Sequence, residues 1–556
     1  MKRFKKYILI SLLIGTTFSC EDFLTEENRS SITAESYLVT KDGYEALVNS
    51  AYATLRNVWG YEDPWLFCLG VDIYTRGNSV PVGGSYEGRD INSIELNEYG
   101  TLDAQNTYVS RFYTDCYNAI QTCNTAINRA NMVENITEPR KAQLVAEVSF
   151  LRAYYYYLLA EQFGDVPLVT NEITSAVTHF DRTPEKDVYK FIVSELGACI
   201  DKLPATPEKF GRVTKGAANN LLALIHLTRG YKSYAEANDF SLAASLADGV
   251  INSGSYSLVS SFNDLFTPGK ENNKEIIFSI QYDKATLGAS QVGNGQSVYW
   301  GWELWMYEPG FEWLNTTYNN HISQFMPTQF LYSLFNTNND SRYDVTFKSS
   351  FNATIDDPAL GIKKGDLKVY FPKPDQPFTK QDSIDFMAKN PKANIITFNR
   401  WKQSFNNIGG SGKFPMVWKF FDPDAIWHGN NDARKGTRDI FLFRLAETYL
   451  IAAEAYHKAG DNLKAADRIN SVRNRAALPG KTSAMQISAS NVDLDFILDE
   501  RARELVGEYK RWMDLKRTKK LIERTLKHNN LAKSANQIKD YHLLRPIPQS
   551  VRDRDS

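Results

Sequence analysis

Apolar residues along this 556-residue chain follow two regimes. In some stretches they recur every three or four residues, the spacing that lines one face of a helix. In others that spacing dissolves into Gly, Pro and clustered aromatics. The clearest helical stretch is 439–478, DIFLFRLAETYLIAAEAYHKAGDNLKAADRINSVRNRAAL. It predicts two helices joined at Gly460, with Leu445, Tyr449, Ala452, Ala453 and Tyr456 on one face of the first. Leu463, Ala466, Ile469, Val472 and Arg473 continue the pattern on the second. Gly460 permits the left-handed conformation that ends a helix, and Asp461 can cap the next. The A-Y-x-x-x-G-D-x-x-x-A-A spacing is that of a tetratricopeptide (TPR) hairpin, which cannot bury its apolar face alone.

Partners for that face are legible elsewhere. Residues 41–57 place Tyr44, Leu47, Val48, Ala51 and Leu55 on one face. From about 105, Tyr108, Phe112, Cys116, Ala119, Ile120, Cys123 and Ile127 do the same. A helix from Pro139 runs to a stop at Gly164 and Pro167, and another spans 185–203. Residues 214–231 and 239–253 form a second hairpin, with Ala217, Ala218 and Ala223 facing Ala243, Ala244 and Ala247. A final helix or helix pair covers 494–517. Roughly four helical pairs make a short solenoid. The four consecutive tyrosines, Tyr154 to Tyr157, point in four directions on a helix, so they serve packing rather than one platform.

Residues 58–104 and 256–438 break the pattern. Lys274–Gln281 reads as a strand, and DLKVYF as a shorter one. The expected fold is therefore mainly α: a TPR-like helical hairpin scaffold with a large loop-rich, aromatic-rich insertion carrying short strands. The scaffold spans about 41–57, 105–255 and 439–525, and the two parts fold as a single domain over 41–556.

Composition narrows the function. There are 64 basic and 65 acidic residues, so no electrostatic footprint for nucleic acid exists. Aromatics are in excess, with 30 Tyr, 31 Phe and 10 Trp. Lys2, Arg3, Lys5 and Lys6 precede a short apolar run, Tyr7 to Phe18, as in a signal peptide over 1–19. Cys20 follows, and it resembles the lipidation site of bacterial lipoproteins, with 20–40 as a tether; an ordinary secretory signal with an incidental Cys is the other reading. Cys116 and Cys123 lie seven apart on one helix, about 10 Å at 1.5 Å per residue, too far to bridge. Cys68, Cys116, Cys123 and Cys199 are expected as buried thiols.

Enzyme signatures are missing. The chain holds no HExxH, GxSxG or P-loop. Its seven histidines are scattered, and NTNNDSRYD at 336–344 lacks the Gly and Glu of an EF-hand. Neither metal nor cofactor is implied. Arg152, Glu161, Glu447, Glu454, Arg501, Glu504 and Arg511 lie on helices that pack together, and they read as buried ion pairs.

Six stretches, in order, resemble the SusD/RagB family of Bacteroidetes outer-membrane lipoproteins. They are CEDFLTEE with the helix ending near Trp59; FLRAYYYYLLAEQFGDVPLV at 150–169; MPTQFLYSLF with SRYDVTF at 326–347; RDIFLFRLAETYLIAAEAYHKAGD at 438–461; ILDERARELVGEYKRWMDLKR at 497–517; and LLRPIPQSV at 543–551. Ser550-Val551-Arg552 lacks the acidic residue more usual after the PIP segment. The resemblance implies a non-catalytic protein, lipid-anchored at the outer membrane and surface-exposed. It would capture an oligosaccharide and act with a SusC-like TonB-dependent transporter. A protein-binding TPR scaffold and a glycan-active hydrolase are the competing readings.

Sugars present apolar C–H faces and hydroxyls, so a site needs aromatic platforms and fixed polar groups. Residues 299–313 fit best: Tyr299, Trp300, Trp302, Trp305 and Trp313 put four of ten tryptophans within fourteen residues. In an extended segment Trp300 and Trp302 share a face. The 58–90 loop, which the resemblance also implicates, adds Trp65, Asp72, Tyr74, Arg76 and Asn78, with Trp59 assigned to the core. Trp427 is a third, weaker position.

Overall fold

The helix Lys41–Gly60 buries Tyr44, Leu47, Val48, Ala51, Leu55 and Val58, the stripe its spacing predicts. The computed structural model describes residues 34–60, 63–77, 90–177, 179–284, 293–313, 317–319, 321–404, 413–425 and 436–555. Against Lys41–Gly60 packs Thr107–Arg129, whose first turn is capped by the Asn106 side chain accepting from Val109 N–H. Both rest on Glu138–Phe163, which starts with Pro at its first turn and stops at Gly164, where φ is 74°.

From Ala146 to Phe163 every residue of that helix is buried, so it has no solvent face and forms the axis of the helical half. The four tyrosines diverge accordingly. Tyr154 packs on Trp59 and Phe443. Tyr155 shares a hydrogen bond with Thr54 and Tyr157 with Thr228, while the Tyr156 hydroxyl donates to the Val169 carbonyl. Cys68, Cys116, Cys123 and Cys199 are buried thiols, none of them in a disulfide.

Next come Glu185–Cys199 and then the hairpin Lys215–Arg229 with Asp239–Ile251, closed through the expected alanines. This hairpin packs on Leu445–Lys458, which in turn pairs with Asn462–Ala476. Gly460 has φ 86°, and the Asp461 carboxylate caps Lys464 N–H. The TPR-like helical fold is thus the observed one.

Three details differ from the sequence expectation. Residues Ile440–Arg444, expected as helix, form a strand antiparallel to Ile276–Ile280, with Ile280 opposite Ile440 and Ile276 opposite Arg444. A short apolar run such as IFLFR suits either element by periodicity, and its pairing partner decides. Leu463, placed on the buried face, is 75% exposed, and Ala465, two residues on and so on the opposite side of the helix, takes the interior position. Within 58–104, Ile91–Glu98 is a helix, capped by Asp90 accepting from Asn92 N–H and ended by Tyr99 at φ 67°.

A buried ionic cluster joins the loop-rich half to the helices. Arg342 reaches Asp340, Glu500 and Glu504 at 2.7, 2.8 and 2.9 Å. Arg444 reaches Glu275, Glu504 and Glu508 at 3.0, 2.7 and 2.7 Å, and Lys419 meets Glu508 at 2.6 Å. Burial by itself would raise the Glu504 carboxyl. The Arg475, Arg444 and Arg342 guanidiniums outweigh it and hold that group at about 2. Arg152 with Glu195, Glu161 with Lys232, Glu447 with Arg501, Glu454 with Arg517 and Arg511 with Asp72 are ion pairs too, as expected of these helices.

Candidate functional site

The two irregular stretches singled out in the sequence meet in space. Strand Tyr74–Arg76 pairs antiparallel with Phe325–Pro327, Tyr74 opposite Pro327 and Arg76 opposite Phe325. The 298–301 segment lies along the other side. Ile322, Ser323 and Phe325 N–H groups donate to the carbonyls of Val298, Gly301 and Tyr299 at 3.0, 2.9 and 2.9 Å. Beyond it, Val417 N–H donates to the Trp300 carbonyl at 3.3 Å, and Met416–Val417 pairs with Phe347–Lys348.

This layering buries most of the expected platform. Trp300 is 0% exposed, its ring 4.5 Å from Phe325 and 4.9 Å from Tyr74. Trp302 is buried and donates from Nε1 to the Phe414 carbonyl at 3.0 Å. Tyr299 and Trp65 are buried edge to face, 5.3 Å apart. None of these four rings offers a face to a ligand here. The alternation that places Trp300 and Trp302 on one face says nothing of which neighbours cover that face. A large apolar ring gains most by burial once strands flank it on both sides.

The polar expectations change in the same way. Asp72 is fully buried and accepts from Arg511 at 2.8 and 2.6 Å and from Arg524 at 2.8 Å. Burial opposes its charge, but the two guanidiniums prevail and hold it at about 2. It ties the 63–77 segment to the C-terminal helices instead of facing a ligand. The Tyr74 hydroxyl accepts Gly507 N–H at 2.5 Å, deep in the interior. Arg76 is half-buried and paired with Glu98 at 2.7 Å. Cys20, Asn78 and Trp427 lie outside the described residues.

Trp305 and Trp313 stay at the surface. Trp305 sits on the single turn Leu304–Tyr307 and is half-buried, while Trp313 is 57% exposed. Their ring centroids are 6.1 Å apart, with planes inclined at 50°. The backbone beneath them is held firmly. Glu308 N–H donates to the Leu304 carbonyl, and Glu308 Oε1 accepts from Lys413 Nζ at 2.5 Å and Asn394 Nδ2 at 2.8 Å. Lys413 Nζ also donates to the Tyr307 carbonyl. The Gly310 carbonyl accepts from Thr354 and Ile355 N–H at 2.8 and 3.2 Å, and Glu312 N–H donates to Thr354 Oγ1 at 3.3 Å. Gly310 has φ 89°, and a Cβ there would lie 3.1 Å from both Ala353 and Ile362. Glycine alone suits that combination of backbone conformation and close approach.

Two features of this region were missed in the sequence. Glu303 is buried between Trp302 and Trp305 in the chain, and its Oε2 meets no donor among the described residues. Burial raises its carboxyl to about 7. Trp418 and Phe421 stack at 4.5 Å and 13°, with Lys348 Nζ 4.9 Å from the Trp418 ring. The run MVWKFF carries that signal, though nothing in it separates surface rings from core. Elsewhere, a groove of about 450 Å³ lies among Tyr113, Tyr117, Ile120, Ile173, Val177 and Val551, none of them an expected site residue.

Comparison with known proteins bears on this arrangement. Residues 274–556 match the sequence model of the SusD family, and residues 22–227 match one described as starch-binding associating with outer membrane. SusD-like protein P2 of Formosa agariphila is 26% identical, the alignment covering 100% of this chain and 98% of that one. Among solved structures, a laminarin binding SusD-like protein superposes with a TM-score of 0.68 at 20% identity, over 93% of this chain and 98% of the other. Surface glycan-binding protein A from Bacteroides thetaiotaomicron, in complex with laminarihexaose, gives 0.69 at 20% identity, over 92% and 97%. Both structures share the fold described above.

Proposed function

The chain belongs to the SusD family, and on that premise we propose that it is a glycan-binding protein of the outer membrane that captures an oligosaccharide without cleaving it. The observation that carries the reading is the pair Trp305 and Trp313, the expected rings that keep an accessible face on a clamped backbone. Stacking on indole faces suits the C–H surfaces of sugar rings, and a ring already held in place loses little freedom on binding. The neighbours that carry laminarin or laminarihexaose in their descriptions support a glucan as the first ligand class to try. The description of the family model that covers residues 22–227 supports the outer-membrane location.

The same reading includes lipid attachment at Cys20, display at the cell surface and a SusC-like TonB-dependent transporter as partner. In it the helical scaffold and the loop-rich half act as one unit, with the helices fixing the loops. Calorimetry with laminarihexaose and maltohexaose tests the glycan site. A dissociation constant in the micromolar to millimolar range, lost on Trp305→Ala and Trp313→Ala, is expected. No heat with any glycan would sink the reading in favour of a protein-binding scaffold. Copurification of a large β-barrel with the tagged chain tests the transporter, and release of shorter sugars from a bound glycan would reinstate a hydrolase.

A further inference from the structure

Resting on that platform, we infer that the ligand is an uncharged oligosaccharide, and that the rim of Trp305 and Trp313 discriminates against glycans bearing carboxylates or sulfates. The platform's own segment, 300–313, reads WGWELWMYEPGFEW, with three glutamates and no Lys, Arg or His. Of the three, Glu312 is exposed beside Trp313, Glu308 is buried and paired with Lys413, and Glu303 is buried just before the turn that carries Trp305.

Binding an anionic sugar takes an unengaged ammonium or, better, a guanidinium fork aimed at the charge. Among the described residues, the cations whose contacts bring them to this stretch or its immediate supports are otherwise engaged. Arg400 donates to the Ile395 carbonyl and Asn394 Oδ1. Lys413 Nζ is held by Glu308 and the Tyr307 carbonyl. Lys368 Nζ donates to the Lys392 carbonyl, and Lys392 Nζ to the Leu360 carbonyl. Lys348 lies over the Trp418 and Tyr318 rings, 4.9 and 5.6 Å from their centres. The adjoining hairpin, 353–366, holds Asp356, Asp357 and Asp366 against Lys363 and Lys364, so it adds no positive charge. In sequence, 314–316 and 405–412 add none either. The Glu312 carboxylate at the edge of the Trp313 ring can accept hydroxyls from a neutral sugar. The same carboxylate repels a uronate, and salt weakens that repulsion because Glu312 is exposed to solvent.

Calorimetry on the full chain, with laminarihexaose, maltohexaose and hexagalacturonate at 20 and 300 mM salt, tests the inference. A neutral hexasaccharide is expected to bind at least about tenfold tighter than the hexauronate at low salt, with the gap narrowing at high salt and in Glu312→Lys. Glu312 is exposed, so that variant keeps the fold. A hexauronate that binds as tightly as the neutral sugars, and loses binding in Trp305→Ala or Trp313→Ala, overturns the inference while the platform stands. A gap unmoved by salt and by Glu312→Lys overturns the electrostatic account. Binding of neither class, or neutral binding indifferent to both tryptophan variants, removes the platform itself and the inference with it.

Discussion

The indole rings of Trp305 and Trp313 lie with centroids 6.1 Å apart and planes inclined at 50°, one half-buried and one open to solvent. The turn beneath them is tied down at Glu308 and Gly310, so the pair is preformed.

Removing either ring is therefore expected to weaken glycan binding by about tenfold or more, as for aromatic anchors at interfaces generally. Trp313→Ala should leave thermal stability almost unchanged, because more than half of that residue already touches water. Calorimetry paired with a melting curve separates the two effects. A Trp313→Ala protein that unfolds early while keeping its affinity would assign the ring to packing.

The neighbouring rings predict the opposite pattern. Trp300→Ala opens a cavity among Phe325, Tyr74 and the flanking strands. A loss of about 3–5 kcal/mol is expected, measured as a lower denaturant midpoint. Any fall in affinity should track the unfolded fraction. Reduced binding in a fully folded Trp300→Ala protein would restore the ring to the site.

Arg342, in the loop-rich half, is tied to Glu500 and Glu504 of the helix Leu494–Glu504. Replacing Arg342 by Ala leaves Asp340 without its cation and takes one of three guanidiniums from each of Glu500 and Glu504, at a cost of about 3–5 kcal/mol. Lys is a poor substitute, since one ammonium cannot reproduce the fork that serves three carboxylates. In the variant Glu500 and Glu504 each lose one of the guanidiniums that hold them ionised, so protonation in the folded state becomes easier. Its deficit relative to the native chain should shrink between pH 7 and 5. A deficit that grows on acidification would mean that these charges do not dominate.

Glu303 supplies a pH dependence of defined sign. Burial raises its folded carboxyl to about 7 from an ordinary 4.5. Between those values the folded chain keeps a proton that the unfolded chain has released. Stability therefore falls as pH rises through that window and is constant above it, by at most about 3 kcal/mol. Asp439, raised to about 6 mainly by burial, drifts the same way, so the difference between native and Glu303→Gln is the quantity to follow. Chemical denaturation at pH 5, 6, 7 and 8 should give a flatter profile for Glu303→Gln. Parallel profiles would place the Glu303 proton elsewhere.

Much of the helical half was legible because its signal is local. Ala217, Ala218 and Ala223 against Ala243, Ala244 and Ala247, Gly460 at positive φ, and the Asp461 cap each follow from residues a few positions apart. The strand Ile440–Arg444 was not legible, since its partner Ile276–Ile280 lies more than 150 residues upstream. The site was legible only as a neighbourhood. Trp305 and Trp313 belong to the same cluster as Trp300 and Trp302, and nothing within 299–313 ranks them by exposure.

The chain's own pattern determines where helices run, which faces they bury and that aromatics crowd the irregular stretches. Helical periodicity and capping act over one or two turns, so they are written locally. Tertiary structure alone decided which rings stay open. Trp300 is covered by Tyr74 and Phe325, and Asp72 is neutralised by Arg511 from 439 residues away. Burial is set by whatever packs nearby, regardless of direction along the chain, and charge is set by the nearest opposite charge in a poorly screened interior. Neither is a property of a residue's sequence neighbours.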